Sequence, residues 1–325
     1  MRARLAVVAA IAAVLLGLSG CSAAPEAEAP VAPVPEAASA DAMTAFPGVP
    51  LVPDEGVLLG MYYGDGSPDG TDDAIGLTPS IHLTYVGWQD GWATDPVLAR
   101  DTARGQVSLV NWEPFDVEFA DIVAGRYDAL LTQRGREAAA LDAPVFVDFA
   151  AEMNEEEGWG GHDPALYVAA YRHVHDLVSA EAGDRVVWVW APNNVDSAGA
   201  PAALEYYPGD DYVDWTGIDG YNWGTSDPDF EWQSFESVVD SVYDDLHTIG
   251  KPVIIGETAS AETGGSKAGW IRDIVPTLTT RFPDIRALVW FDVDKERDWR
   301  IRSSPAALQG FRALASDPLF IPAGG

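Results

Sequence analysis

Short apolar runs recur along the chain from Val57 onward, and longer segments with a helix-like period lie between them. Several runs are rich in Val and Ile and apolar at every position, which is typical of parallel strands buried on both faces. The pattern predicts strands at Val57–Tyr63, Ile81–Gly87, Val107–Trp112, Val145–Phe149, Val186–Trp190, Val213–Ile218, Pro252–Gly256 and Ile285–Phe291. Eight alternations of strand and helix predict an α/β fold, a single-domain (β/α)8 TIM barrel.

Three segments between the strands carry clear helix signals. Pro164–Glu181 follows Asp163, a suitable N-cap, and begins with proline, which is favoured at the first helical position. Phe235–Ile249 ends before a glycine, and Ser266–Leu278 has a similar pattern. A doubly wound sheet would instead need a glycine-rich turn that leads from the first strand into a helix, and the glycines after Tyr63 do not lead into one.

The first 21 residues resemble a bacterial lipoprotein signal. Arg2 and Arg4 form a basic start, and Leu5–Leu18 is an apolar stretch too short to be a transmembrane helix. The segment ends at Cys21, the only cysteine, which such a signal would make the lipidated first residue of the mature protein. We therefore expect an extracytoplasmic protein anchored to a membrane through Cys21. A plain secretory signal, giving a secreted protein, is the alternative.

Residues 22–46 consist mostly of Ala, Pro and Glu, with Phe46 as the only aromatic residue. Such a composition cannot bury a core, so we predict a disordered linker there and one catalytic domain over residues 47–325. The whole chain has a net charge of −32. This charge excludes nucleic acid as a natural partner and fits a neutral or cationic substrate.

Carboxylates, amides and aromatic rings are concentrated directly after the predicted strands three to eight. In a (β/α)8 barrel these positions line the active-site face. The segments are Asn111–Pro114, Ala151–Asn154, Trp190–Asn193, Asp219–Trp223, Gly256–Thr258 and Trp290–Asp292. Glu152 after strand four and Glu257 after strand seven can therefore face each other across the barrel mouth.

Two carboxylic acids in such a place suit the cleavage of a glycosidic bond. A retaining glycosidase uses a pair about 5–5.5 Å apart, one as acid/base and one as nucleophile. The acid should be partly removed from water so that it stays protonated near the working pH. A phenol such as Tyr221 can orient the nucleophile, and asparagines such as Asn154 and Asn193 can bind sugar hydroxyl groups.

The chain holds twelve tryptophans, and indole rings can cover the apolar faces of pyranose rings. Trp188, Trp190 and Trp215 lie on predicted strands, and we expect them in the core. Five others near loops are candidates both for sugar platforms and for simple packing: Trp88, Trp112, Trp159, Trp223 and Trp299.

Taken together, these residues resemble family 26 of the glycoside hydrolases, whose members are retaining (β/α)8 enzymes. The resemblance covers about residues 57–320. It rests on five motifs in the order of the strands: AEMN at 151–154, VWVWAPN at 187–193, YYPGDDYVDWTGIDGYNWG at 206–224, KPVIIGETAS at 251–260 and RFPDIRALVWFDVDKERDWRI at 281–301.

The resemblance implies that Glu152 is the acid/base, that Glu257 is the nucleophile and that Tyr221 orients the nucleophile. It also implies that Trp159 and the pair Trp299–Arg300 contact sugar near the cleavage point. The family is best known for endo-β-1,4-mannanases and also contains β-1,3-1,4-glucanases and xylanases, so membership leaves the substrate open.

The chain departs from the mannanase pattern around Glu152. Ala151 stands where many mannanases have a histidine, and Asp148 lies in a region that is often basic. The loop continues as Glu155–Trp159, whose three glutamates should raise the pKa of Glu152 if they lie close to it. These differences weaken the case for mannose and leave the two-carboxylate mechanism intact.

We expect no metal and no cofactor. Asp65–Asp73 resembles a calcium loop, but its twelfth position is Gly76, where a bidentate glutamate is required. His162, His173 and His175 lack the spacing of metal ligands. The G-x-S-x-G elbow of a serine hydrolase is absent from the sequence.

We therefore expect a monomeric retaining endo-glycosidase for a β-linked polysaccharide, with β-1,4-mannan as the first substrate and mixed-linkage β-glucan or xylan as alternatives. Two rival hypotheses are a non-catalytic polysaccharide-binding lipoprotein and a hydrolase of the cell's own envelope glycans. The intact pair of Glu152 and Glu257 argues against the binding protein, which would need neither carboxylate.

Overall fold

Eight parallel strands close into a barrel in the computed structural model, which describes residues 43–64, 66–92, 95–155, 158–226 and 228–324. Each strand pairs with the next along the chain, and β8 pairs with β1 to close the ring. The strands are β1 Val57–Tyr62, β2 Ile81–Gly87, β3 Val107–Glu113, β4 Val145–Phe149, β5 Val186–Trp190, β6 Trp215–Asn222, β7 Val253–Ser260 and β8 Ile285–Phe291, and a short β9, Phe320–Ile321, pairs with β1. The predicted (β/α)8 TIM barrel is confirmed.

α-Helices connect the strands except between β5 and β6, where the structure has two short 3-10 helices, Ala203–Tyr206 and Asp210–Tyr212. The α-helices are α1 Pro68–Ile75, α2 Pro96–Ala103, α3 Phe119–Val123, α4 Asp128–Ala139, α5 Pro164–Ala182, α6 Phe235–Ile249, α7 Lys267–Arg272, α8 Ile274–Arg281 and α9 Pro305–Ala315. The predicted helix Phe235–Ile249 is confirmed, whereas a single helix over Ser266–Leu278 is wrong. Pro276 has no N–H and its ring crowds the carbonyl group of Arg272, so α7 ends there and α8 starts separately.

The sequence placed the ends of strands six and seven too early. In the structure β6 and β7 continue, and Asp219–Asn222 pairs with Glu257–Ser260. Because strand pairing uses only backbone groups, it extends past the point where the apolar pattern stops. A register irregularity between β7 and β8 lies next to Glu257, and such bulges often re-aim a side chain at an active site. Tyr221 and Glu257 therefore project from strands rather than from loops.

Arg286 on β8 fixes the segment that precedes β1. Its guanidinium group is buried and donates to the carbonyl oxygens of Thr44 (2.6 Å), Pro53 (2.6 Å) and Gly56 (2.9 Å). The N–H of Thr44 also donates to the carbonyl oxygen of Pro283 over 2.8 Å. Ordered contacts with the barrel thus begin before residue 47, where the sequence had placed the start of the domain.

The predicted signal segment, Cys21 and the linker up to residue 42 lie outside the described residues. The predictions for them stay predictions. Within the described part of the chain, no helix has the length and apolar character needed to cross a membrane.

Candidate active site

Glu257 lies in the second half of β7 and is 8% exposed. Three side chains from other strands hold its carboxylate. The hydroxyl group of Tyr85 on β2 donates to Oε1, that of Tyr221 on β6 donates to Oε2 over 2.5 Å, and Asn111 Nδ2 on β3 donates to Oε1 over 3.4 Å. Burial raises the pKa of Glu257, while these hydrogen bonds and the charge of Lys295 oppose the rise. The three donors favour the ionised form and fix its orientation.

Glu152 follows β4 and is half-buried. Its backbone has a φ of 56°, in the left-handed region, which costs about 1–3 kcal/mol for a residue with a Cβ. The N–H of Glu152 donates to the carbonyl oxygen of Ala191 over 2.8 Å and holds this conformation. Asn193 Nδ2 donates to Glu152 Oε1 over 2.8 Å and to Glu155 Oε1 over 2.9 Å. The β5 loop thereby orients the Glu152 carboxyl group.

The two glutamates are coupled electrostatically. The pKa of Glu152 is raised to about 8, mainly because the carboxyl group is removed from water and to a smaller extent because of the charges of Glu257 and Glu155. The hydrogen bond from Asn193 opposes the rise. A protonated Glu152 is therefore favoured at neutral pH. The expected effect of the glutamate-rich loop is present at Glu155, whereas residues 156 and 157 lie outside the described residues.

Two further acids, Asp148 on β4 and Asp219 on β6, lie beside Glu257. They are 3% and 1% exposed, and both line a narrow pocket that Asn111 and Glu257 also line. Burial and the charge of Glu257 raise the pKa of both aspartates well above its usual value. Burial and the nearby charge of Glu257 therefore both favour the protonated form of these two aspartates.

Aromatic residues predicted to contact sugar lie on both sides of the two glutamates. Trp159 Nε1 donates to the carbonyl oxygen of Ala151 over 2.8 Å, directly before the acid/base candidate. Trp299 is buried, and its ring centroid lies 5.0 Å from that of Tyr221 and 5.1 Å from that of Trp223. Trp299 thus supports Tyr221, which in turn orients the carboxylate on β7.

Arg300 lies on the same loop as Trp299 and is bound by neighbouring acids. Its Nε and Nη2 each lie 2.7 Å from a carboxylate oxygen of Asp298, and Nη2 lies 3.0 Å from Asp294. Its guanidinium group is half-exposed, so it combines a fixed orientation with access to solvent.

Four residues predicted to bind substrate are packed inside the protein instead, and the buried Trp299 described above is one of them. Trp88 and Trp112 are almost fully buried and stack on each other with ring centroids 4.7 Å apart. Asn154 is 0% exposed; its Oδ1 accepts from the Asn193 N–H over 2.9 Å, and its Nδ2 donates to the Asn193 carbonyl (3.0 Å) and to Asp196 (2.9 Å). A position next to a strand end does not reveal which way a side chain points, so the expected sugar contacts of Trp88, Trp112, Asn154 and Trp299 are corrected. Asn154 positions Asn193, and the two indoles pack the core.

Tyr85 and the role of Asn111 were not predicted from the sequence. The sequence does contain a pattern that indicates both residues. Tyr85 lies two positions after Leu83 on β2, and Asn111 lies two positions after Leu109 on β3, and both leucines face the barrel interior. Side chains two apart on a strand share a face, so a polar residue there points into the barrel.

Among the described residues, no group of His, Cys, Asp and Glu side chains has the arrangement of a metal site. Asp65, the first residue of the calcium-like segment, lies outside the described residues. Asp72 from that segment accepts from the Tyr63 hydroxyl group over 2.9 Å and pairs with Arg104. These contacts join α1 to the barrel.

A (β/α)8 barrel that places one buried glutamate on β7 and a second glutamate after β4 is typical of glycoside hydrolases. The chain belongs to glycosyl hydrolase family 26, whose family model matches residues 120–303.

The names of the curated relatives of this chain refer to different substrates. The chain is 38% identical over 272 residues to an endoglucanase H from Acetivibrio thermocellus, covering 80% of this chain and 30% of that protein. It is 29% identical over 204 residues to a beta-1,3-xylanase from a Vibrio species (56% and 43% covered) and 27% identical over 175 residues to a mannan endo-1,4-beta-mannosidase from Bacillus subtilis (50% and 41% covered). The chain therefore spans less than half the length of each of these relatives.

Solved structures share the fold at low sequence identity. A modular endo-beta-1,4-mannanase from Cellulomonas fimi matches with a TM-score of 0.61 at 17% identity, covering 82% of this chain and 72% of that chain. A beta-mannanase from Bacteroides ovatus matches with a TM-score of 0.60 at 16% identity, covering 83% and 91%. These matches agree with the barrel described above.

Proposed function

We propose that this chain is a retaining endo-glycosidase that hydrolyses a β-linked polysaccharide by double displacement. The proposal rests on one observation: the two glutamates have different surroundings, which suit them to different roles. Glu257 accepts hydrogen bonds from Tyr85 and Tyr221, while the pKa of Glu152 is raised to about 8. One group is prepared to attack and the other to donate a proton at the same pH.

In the first step a carboxylate oxygen of Glu257 attacks the anomeric carbon, and the bond from that carbon to the leaving sugar breaks. Glu152 gives its proton to the leaving oxygen, which leaves a glycosyl ester on Glu257. In the second step Glu152 removes a proton from water, and the water oxygen displaces Glu257 from the anomeric carbon. Two inversions at this carbon retain the β configuration.

The electrostatics of the pair support the change of role at Glu152. The charge of Glu257 is one of the causes that raise the pKa of Glu152. Esterification removes that charge, so the pKa of Glu152 falls when the intermediate forms. The same carboxyl group is then an acid in the first step and a base in the second.

We infer that a β-glucan is the first substrate, ahead of β-1,4-mannan, which reverses the order expected from sequence alone. The relative named an endoglucanase is 38% identical to this chain, compared with 27% and 24% for the two named mannosidases. Ala151 also removes the imidazole that many mannanases have beside the acid/base residue.

Reducing-sugar release from mixed-linkage β-glucan, glucomannan, galactomannan and xylan tests the proposal. We expect the highest rate on β-glucan and loss of that rate in Glu257→Gln, which keeps the side-chain shape and removes the charge. A folded wild-type protein that is inactive on all four polymers, or a fully active Glu257→Gln variant, would contradict the proposed function.

We also propose that Cys21 carries a lipid anchor, that residues 22–42 link the anchor to the barrel, and that the protein acts as a monomer. The sequence pattern up to Cys21 supports the anchor. In a bacterial host the wild-type protein should be found with the membrane fraction and Cys21→Ala in the medium. Retention of both in the same fraction would count against the anchor.

A further inference from the structure

Phe115 is 61% exposed, more than any other large apolar side chain in the described residues. It follows β3 in a tight turn that is closed by a 3.3 Å hydrogen bond from the Val117 N–H to the carbonyl oxygen of Pro114. Asp116, the next residue, has a φ of 59° in the left-handed region. The turn therefore defines the backbone position of Phe115, whose ring is exposed to solvent.

The ring of Phe115 is connected to the acid/base candidate through Trp159. The two ring centroids lie 5.0 Å apart at an angle of 63°, an edge-to-face contact that leaves most of the Phe115 ring exposed. The indole N–H of Trp159 donates to Ala151, the residue before Glu152, over 2.8 Å. Phe115 therefore lies on the side of the site where Glu152 is located, whereas Tyr221 and Trp299 lie beside Glu257.

A flat, exposed ring at a carbohydrate site has a natural ligand in the C–H face of a pyranose. Glu152 protonates the leaving oxygen in the proposed reaction, so the departing sugar lies on its side of the site. We propose that the exposed ring of Phe115, held in place by Trp159, binds the sugar unit on the leaving-group side of the cleaved bond. The inference rests on the proposed function and adds a residue that determines how the polymer is held.

A sugar site on this side also supplies an acceptor for glycosyl transfer. A hydroxyl group of the bound sugar attacks the anomeric carbon of the glycosyl-enzyme, and the ester bond to Glu257 breaks. The hydroxyl proton moves to Glu152, as it does when water is the acceptor. Phe115 therefore favours transfer to sugar over hydrolysis whenever free oligosaccharide is present.

A β-glycosyl fluoride separates this role from general effects on the site, because its leaving group is one atom and cannot reach Phe115. We expect Phe115→Ala to lower kcat/KM on the polysaccharide about 5- to 10-fold, the range expected for loss of one aromatic contact. Its kcat/KM on the glycosyl fluoride should stay within about twofold of wild type. With oligosaccharide added, the ratio of transfer to hydrolysis should fall by a similar factor.

Two matched variants test whether the flat aromatic ring of Phe115 is what binds the sugar. Phe115→Tyr keeps the ring and should behave as wild type, whereas Phe115→Leu keeps apolar area without a flat face and should resemble Phe115→Ala. Because the side chain is exposed, the midpoint of thermal unfolding should not change in any of them.

Equal losses on polymer and fluoride in Phe115→Ala would overturn the inference and assign Phe115 to support of the site. An unchanged polymer rate and transfer ratio would overturn it as well. A wild-type protein that cleaves neither substrate would overturn the proposed function itself, and the inference with it.

Discussion

The hydroxyl group of Tyr221 donates a 2.5 Å hydrogen bond to Oε2 of Glu257, its neighbour on the adjacent strand. The other carboxylate oxygen accepts from Tyr85, which lies on β2. Trp299 packs against the Tyr221 ring with centroids 5.0 Å apart. The carboxylate is thus oriented by two phenols from different strands, and a buried indole supports one of them.

Removal of the Tyr221 hydroxyl group should impair catalysis through Glu257. We expect Tyr221→Phe to lower kcat/KM about 10- to 100-fold, since a hydrogen bond to a charged group contributes about 1.5–3 kcal/mol. The bond lowers the pKa of Glu257, so its loss should raise that pKa and move the acidic limb of the kcat/KM profile to higher pH. Tyr85→Phe should move the limb in the same direction, and an unchanged acidic limb in both variants would count against the assignment.

The fall in kcat/KM on the alkaline side of the pH profile reports the loss of the Glu152 proton. Activity should fall as the pH rises through about 8, because Glu152 must keep its proton to donate it. The charge of Glu155 raises this pKa and the bond from Asn193 lowers it. The limb should therefore move to lower pH in Glu155→Gln and to higher pH in Asn193→Ala, as measured by kcat/KM profiles of both variants beside wild type. Shifts in the same direction would disprove this electrostatic picture.

Removal of the acid/base residue should affect substrates unequally. Glu152→Ala should lose about 10²- to 10⁴-fold in kcat/KM on the polysaccharide, the usual contribution of a general acid. A β-glycosyl fluoride needs no proton to leave, so the variant should release one equivalent of fluoride rapidly and then turn over slowly. Azide should restore turnover and give the β-glycosyl azide. An equal loss in the first turnover on both substrates would contradict an acid/base role.

The N-terminal boundary of the domain can be tested by stability. A chain that starts at residue 47 lacks Thr44 and with it the contacts to Pro283 and Arg286. We expect its free energy of unfolding to be about 1–2 kcal/mol lower than that of a chain that starts at residue 41, since it loses two partly buried hydrogen bonds. Equilibrium urea unfolding of both chains measures the difference. Equal stabilities would show that residues 43–46 add nothing to the fold.

Much of the fold could be predicted because the strands of a parallel barrel are predominantly apolar along their length. The bounds of β2, β4, β5 and β8 follow directly from such runs. The ends of β6 and β7 could not be found in this way, since backbone pairing continues there through polar residues such as Asp219 and Glu257. The break between α7 and α8 had a local cause, Pro276, that the periodicity of the segment concealed.

Those residues of the candidate site could be predicted whose place in the barrel follows directly from their position after a strand. The two glutamates and Tyr221 follow apolar runs, so their place at the carboxyl ends of the strands could be inferred. Side-chain direction could not, and this is why Trp88 and Trp112 were expected at the surface although both are buried. Tyr85 was missed because it lies inside an apolar run, and only its partner from β7 reveals its role.

Trapping of the glycosyl-enzyme tests the two-glutamate mechanism most directly. A 2-deoxy-2-fluoro-β-glycosyl fluoride of the sugar found in the preferred polymer should add one sugar to the protein. Peptide mass spectrometry should place the sugar on Glu257, and Glu257→Gln should stay unlabelled. A label on any other residue, or no label on an enzyme that hydrolyses the corresponding polymer, would contradict the mechanism.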